Sequence, residues 1–467
     1  MNTIATDAEN LRGRLQGELL LPDDRGYDDA RPIWNAMHDR RPALMVRPRG
    51  DDDVAASIVF AREHQLPIAI RGGGHSVAGY GTVEGGLVID HSHLRAVEVD
   101  AERRVVRVEP GVTLADLDRA TQEHGLAVPI GVVSGTGVAG LTLGGGVGWL
   151  TRAYGLTVDN LLAVELVTAD GRTVRASEVE EPELFWGLRG GGGNFGVVTA
   201  FEFRAYAHGP VAHGGNLVYR RAKWTDALRA YRDWTSAGMP DAMTSIVSFL
   251  TPPPSWELGD ETLLIIGFAW AGPDGDEAVR VVAPLREALE ADVEVLDPVP
   301  WVEWQAAADE LFPKGSRAYW KNTALAALDD GAIDAIVRTA EAMTPRAAGL
   351  DIHHMGGAFA RVPEDATPFP NRDAAYWVNV YGVWDAPEGD EAGRQWARDG
   401  HAALEPYAAD GLYVNFMGAA EGDPDPAAAV QDTYGTVKLA RLRQLKRAWD
   451  PDNVFRLNHN IAPAVTG

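Results

Sequence analysis

An α+β fold in two parts is predicted for this chain by three observations. Short apolar runs interspersed with glycine turns crowd its first part. After residue 207 the composition shifts towards Trp, Pro-rich turns and longer helical stretches. Close to the C-terminus, an amphipathic helix presents one apolar face that needs a partner.

The elements follow in order. Residues 1–36 read as a polar helical lead-in to the first domain, which spans 37–207. Residues 66–71 (LPIAIR) form a predicted strand ended by Gly72-Gly73-Gly74. Residues 86–90 and 105–109 read as further strands. Residues 113–125 form a predicted helix, with Thr113 as N-cap and Gly125 just past its end. Residues 161–168 and 197–203 are again strand-like, and this portion closes near Tyr206. Residues 208–420 read as a second domain built on an antiparallel sheet with helices. Its stretch 276–290 is helical, and Pro284 is expected to kink or split it. In the last segment, 421–467, Leu439, Leu442, Leu445 and Trp449 share one helix face. Lys438, Arg441, Arg443, Lys446 and Arg447 occupy the rest, and Asp450-Pro451 stops the helix.

Charge and composition narrow the function. The net charge of -25 opposes binding to nucleic acid or to an anionic membrane surface, so neither is an expected partner. With no Cys, disulfides, thiolate metal sites and Cys nucleophiles are excluded. No His, Asp or Glu grouping has zinc spacing, and no metal is expected. The longest apolar run, residues 263–272, falls short of the ~20 residues a spanning helix needs. The N-terminal residues lack a basic stretch followed by an apolar one, and a cytoplasmic protein is the expectation.

Three glycine clusters stand out: Arg71-Gly72-Gly73-Gly74-His75-Ser76, the stretch from Gly135 to Gly148, and Arg189 to Gly196. Consecutive glycines let the backbone approach a ligand, and successive N–H groups form a concavity for an anion. A pyrophosphate suits such donors, and so strongly acidic a chain gains by using neutral ones. Gly135-Thr136-Gly137-Val138-Ala139-Gly140 matches G-x-G-x-x-G, with Asp159 further on. Its context argues against a Rossmann unit. The motif should open a helix, yet Gly144, Gly145, Gly146 and Gly148 follow, each costing ~1 kcal/mol against Ala in a helix interior.

These clusters resemble the flavin loops of the vanillyl-alcohol-oxidase, or PCMH-type, flavoproteins, and more narrowly of the berberine-bridge-enzyme-like oxidases. Ile70 to Ser76 with Gly79-Tyr80 resembles the first loop. Thr136 to Gly148, with residues 152–160 after it, resembles the second, and residues 185–198 the third. Residues 449–461, with Asn458 and Asn460, resemble the family's C-terminal return. The resemblance implies a PCMH-type FAD-binding domain of two α+β subdomains and a substrate domain whose antiparallel sheet, covered by helices, lies over the isoalloxazine ring. It implies FAD contacts from Arg71, Gly72, Gly73, Gly74, Ser76, Gly79 and Tyr80, and from Val133, Gly135, Thr136, Gly137, Gly140, Gly144, Gly145 and Gly148. Asn194, Gly196, Val198, Asn458 and Asn460 complete that set. It also implies an 8α-histidyl bond through His75. Many relatives add a cysteinyl bond at the position of Val133, so here the tether is single. Thr136 resembles the oxygen-permissive version of its position.

The implied activity is hydride transfer from an alcohol or amine C–H of a small organic substrate to flavin N5, then to O2, giving H2O2. A dehydrogenase with another acceptor and a flavin-holding binding protein are the alternatives. Residues 376–384 alternate like a strand, which puts Asn379 and Tyr381 on one face. Residues 411–417 resemble the family's Tyr-x-Asn-Tyr strand, with Phe416 where many relatives carry a Tyr base. The remaining candidates are Tyr319, Lys321 and His353, with Asn415 as a substrate ligand. His91 and His93 read as solvated loop residues.

Overall fold

A computed structural model of the protein describes residues 2–465 apart from 345, 347, 421 and 424. The chain opens with a helix, Asn2–Arg12, but most of the remaining lead-in is not helical. It supplies an edge strand and then one short helix, Tyr27–Ala30. The first sheet comprises β1 (Glu18–Leu20), β2 (Leu44–Arg47), β3 (Ile68–Arg71) and β4 (Leu87–Asp90), in the order β1-β2-β4-β3. β3 and β2 both run parallel to β4, and the buried LVID run of β4 suits a strand covered on both faces.

Further along lie β5 (Val97–Asp100), β6 (Val105–Val108), β7 (Leu126–Ala127), β8 (Leu161–Val167), β9 (Thr173–Ser177), β10 (Val197–Arg204) and β11 (Tyr206–Ala207). Five of them form an antiparallel sheet in the order β5-β6-β10-β8-β9, while β7 and β11 pair separately. The helix Leu114–Gln122 starts on a reciprocal cap: Asp116 N–H donates to Thr113 Oγ1, and Thr113 N–H donates to Asp116 Oδ2. Gly125 follows at φ 63, as a left-handed helix end requires.

The second part is one nine-stranded antiparallel sheet. Its strands are β12 (Val211–Tyr219), β13 (Met243–Leu250), β14 (Leu263–Trp270), β15 (Val293–Val295), β16 (Val299–Pro300), β17 (Arg317–Leu325), β18 (Ala348–His354), β19 (Tyr376–Trp384) and β20 (Ala408–Ala409). The path runs β15-β12-β14-β13-β18-β19-β17-β20, with β16 pairing β12. Helices Trp224–Ser236, Gly275–Ala288, Asp330–Glu341 and Asp390–Leu404 cover one face over an apolar core. Pro284 lies inside Gly275–Ala288 without splitting it. Pro284 and Arg280 are both exposed, so the Arg280 carbonyl that loses its intrahelical donor is left to water.

The other face of this sheet meets the first part. Trp34 and Val77 pack against Ala318, Trp320 and Tyr381, while Val147, Leu156 and Val158 pack against Ala324 and Trp377. The final helix, Pro426–Trp449, buries Leu439, Leu442 and Leu445 as expected, with a kink at Gly435. Lys446 does not lie on a solvated face. It is fully buried, because the tail after Asp450 folds over that side and supplies it with acceptors.

Candidate active site

The three glycine loops converge on one cavity, which the tail lines between residues 455 and 459. The first and second loops meet backbone to backbone: a Cβ on either Gly73 or Gly137 would overlap the other residue. At Gly140 and Gly193 a Cβ would instead enter open space, so bare backbone faces the cavity there. Arg71 is the one Lys or Arg in the lining, and its guanidinium is fully engaged elsewhere. It donates to the carbonyls of Ala30, Arg31 and Gly81 at 2.6, 2.9 and 2.9 Å. Arg71 therefore fastens the loop, and a diphosphate in this cavity would rely on N–H donors. Asn194 donates to the His459 carbonyl at 3.2 Å and accepts from Ile461 N–H at 3.0 Å, clasping the third loop to the tail. Asn458 donates to the Gly193 carbonyl at 3.1 Å, and its Oδ1, buried without a partner, is free for a ligand.

His75 lines the same cavity. Its ring stacks on the Trp34 indole, with centroids 4.4 Å apart and planes 17° from parallel. Trp34 is itself fixed, its N–H donating to the Gly74 carbonyl and its Nε1 to the Phe312 carbonyl at 2.9 Å. The next residue, Asn35, donates to the carbonyls of Val77 and Ala318, tying the His75 loop to β17. Burial pushes the His75 imidazole down to about 4, so it stays neutral and keeps a nucleophilic lone pair near pH 7.

Above the cavity lies the open face of the large sheet. Its register sets Asn322, Asn379, Asp351 and Ser248 in one transverse row across β17, β19, β18 and β13. Tyr381 Oη donates to Asp351 Oδ1 at 3.3 Å. His353 approaches Phe416, with ring centroids 5.4 Å apart. The row borders the cavity through Trp320 and Phe416, which line it. Asn379 Oδ1 and His353 Nδ1 are buried without hydrogen-bond partners, so the face offers unsatisfied polar atoms to a substrate.

The FAD binding domain family matches residues 42–177, and the berberine and berberine like family matches residues 412–462. (R)-6-hydroxynicotine oxidase of Paenarthrobacter nicotinovorans is 31% identical over 463 residues, covering 96% of this chain and 97% of its own length. The chain belongs to the berberine-bridge-enzyme-like FAD-linked oxidoreductases. Among solved members, 6-hydroxy-D-nicotine oxidase from Arthrobacter nicotinovorans superposes with a TM-score of 0.85 at 30% identity, over 96% of this chain and 98% of its own. The fold is shared with glucooligosaccharide oxidase from Acremonium strictum, at a TM-score of 0.85, 24% identity and full coverage of both chains. That protein carries a 6-S-cysteinyl, 8α-N1-histidyl FAD. In this member of the family the lining residue Val133 and the absence of any Cys leave no thiol for a cysteinyl bond.

Most of the sequence-predicted flavin residues line the cavity, Ser76, Tyr80, Thr136, Gly144, Gly196 and Val198 among them. Gly79, Gly135, Gly145, Gly148 and Asn460 do not. Gly79 is packed under His38 and Gly145, at φ 136, under Phe369, while Gly148 lies against the Ile130 carbonyl. They shape the turns that carry the lining residues. The G-x-G-x-x-G stretch does open a helix, Val138–Gly144, contrary to expectation, but Gly145 and Gly146 end it at positive φ. The preceding strand, β7, is two residues long and antiparallel to β11, so no βαβ unit forms. Asp159 instead holds Arg372 through two hydrogen bonds of 2.8 Å.

Two catalytic candidates lie on the wrong face. Tyr319 packs in the helix-covered core and bonds Asp423, and Lys321 sits 3.4 Å from the same carboxylate. Strand alternation sends them away from Trp320 and the cavity. Residues 414–416 form a 3₁₀ turn and not a strand. Asn415 lines the cavity, but its amide is spent on the Leu141 carbonyl and Tyr413 Oη. His91 is buried in the cavity wall and pushed down to about 4 by desolvation, whereas His93 is exposed as expected. Sequence reading passed over Trp34, Asp351 and Tyr413. Tyr413 Oη accepts from Gly146 N–H at 2.9 Å, and burial pushes it up to about 12.

Proposed function

We propose that the chain is an FAD-dependent oxidase of a small alcohol or amine, with its cofactor tethered singly through His75 and O2 as electron acceptor. When bound in this cavity, FAD would supply the hydride acceptor, with O2 as the final oxidant giving H2O2. The observation that carries this reading is a cavity lined by bare glycine backbone and a neutral imidazole, bordered through Trp320 and Phe416 by a sheet face with unpartnered polar atoms. The loops of Gly72 to Gly74 and Gly192 to Asn194 hold the diphosphate through N–H groups. Trp34 orients His75, whose lone pair makes the tether. Thr136, in the lining, resembles the oxygen-permissive version of its position, which favours O2 as acceptor. Asn379, Tyr381 and His353 face the substrate and fix its orientation, while Trp320 and Phe416 wall off water. The hydroxynicotine and carbohydrate oxidases among the relatives support small organic substrates carrying an oxidisable C–H beside nitrogen or oxygen.

The visible spectrum before and after acid precipitation tests the tether. A yellow pellet is expected from the wild type, and His75→Ala should move all colour to the supernatant. Mixing the reduced protein with air tests the acceptor: reoxidation slower than that of free flavin would rule out the oxidase.

A further inference from the structure

We propose that Asp351 takes the O–H or N–H proton released when the substrate is oxidised. The inference rests on the oxidase reading and adds the proton acceptor that reading lacks. Five central strands, β17, β19, β18, β13 and β14, present alternate residues to the cavity side of the sheet. Asp351 is the one carboxylate among those residues. It sits at the centre of the polar row, directly opposite Asn379 on β19 and Ser248 on β13. A central strand is normally closed on both faces, and Leu350 and Ile352 beside it are fully buried. Asp351 and Ser248 nevertheless remain half-buried, so the sheet face opens at these two positions.

The competing bases are weaker. Phe416 carries no ionisable group. Tyr381 directs its hydroxyl proton at Asp351, and burial beside that carboxylate holds it well above the ordinary phenol range. Alone, it stays protonated; with Asp351 it orients a substrate hydroxyl or amine towards the carboxylate. Burial pushes His353 down to about 4, which makes it a poor proton store. Desolvation raises Asp351 to about 6, leaving it ionised at neutral pH yet basic enough to accept a proton. The other titratable groups here are Tyr381, His353 and, across the cavity, Tyr413. Lys321 is on the reverse face, and Arg317 is taken by Asp390. In the step, the reacting C–H bond breaks with its electron pair leaving as hydride to FAD. The O–H or N–H bond breaks with its proton passing to Asp351, and its electrons form the C=O or C=N bond.

Sulfite, an anion that reversibly bleaches protein-bound flavin, probes the placement. Asp351→Asn holoenzyme should bind sulfite about tenfold more tightly than wild type at pH 8, where the carboxylate repels it. The gap should close below pH 5, where Asp351 is protonated in the wild type, and Asp351→Glu should restore it. Anaerobic flavin bleaching with a panel of small alcohols and amines then reads the role. For any member the wild type oxidises, Asp351→Asn should slow bleaching by about 10²- to 10⁴-fold and remove the limb near pH 6. Equal sulfite affinity across the pH range would overturn the proposal. So would a shifted sulfite affinity with unslowed bleaching. Wild-type holoenzyme bleached by no panel member would count against the oxidase reading, with the sulfite comparison still deciding the placement of Asp351.

Discussion

Trp34 shows how one side chain far along the chain from a loop can govern the loop's chemistry. Its indole covers one face of the His75 ring, and the proposed tether would form at the uncovered imidazole edge. Trp34→Ala should therefore slow covalent flavin attachment to cofactor-free protein while leaving reversible FAD binding nearly unchanged. Trp34→Phe, which keeps a stacking surface, should recover most of the rate. Following acid-precipitable flavin over time after FAD addition checks both. His75 was legible in the sequence because it follows Gly72-Gly73-Gly74 in a stretch that resembles the family's first flavin loop. Trp34 was not, since stacking partners leave no spacing signal and its segment read as a polar lead-in. Asp351 was missed for a related reason. Alternation marks which residues share a face, but which face looks into a cavity depends on strand order, and that ordering also sent Tyr319 and Lys321 to the helix side.

At the scale of elements, the last helix and the tail act as one clamp on the third glycine loop. Lys446 Nζ donates to the Asn194 carbonyl at 2.7 Å and the Phe455 carbonyl at 2.9 Å, and it pairs with Asp450 at 2.7 Å. Both ionic side chains are 0% exposed. Removing one partner strands the other charge, so Lys446→Met should destabilise the protein by about 3–5 kcal/mol. It should also loosen the loop that carries Asn194. Thermal unfolding with and without FAD reads the two effects, and FAD should raise the melting temperature less in the variant than in the wild type. The apolar stripe of this helix was readable from its 3.6-residue period. The burial of Lys446 was not, because the tail that covers it is irregular chain, and irregular chain carries no period. The turn at residues 414–416 follows the same logic: its motif was recognisable, but its conformation depends on Asn322, which donates to the carbonyls of Tyr413 and Phe416.

For the whole molecule, the site exists only while the two parts stay docked, and polar contacts reinforce the apolar docking seams. Ser134 N–H donates to Asp309 at 2.8 Å, Asn35 bridges to Ala318, and Asp159 holds Arg372. A further seam is buried and titratable. Asp118, on the helix Leu114–Gln122, accepts from Trp301 Nε1 and Gln305 Nε2 of the helix Trp301–Ala306, both at 3.2 Å. Asp118 is 2% exposed, and desolvation pushes it up to about 7. The folded state therefore holds this proton more tightly than the unfolded chain, in which the group returns to about 3.8. Its contribution is fully present below that lower value and is lost as pH rises through about 7. Gln305 Oε1 is buried without a partner, so a turned amide could accept from the protonated acid. Asp118→Asn copies that neutral, donating form at every pH. Measured from pH 4.5 to 8.5, the wild-type melting temperature should fall relative to that of the variant as pH rises, with most of the change complete by pH 8. A constant difference across the range would mean that the carboxyl is paired or hydrated in solution, and that the docking of the two parts does not depend on its proton.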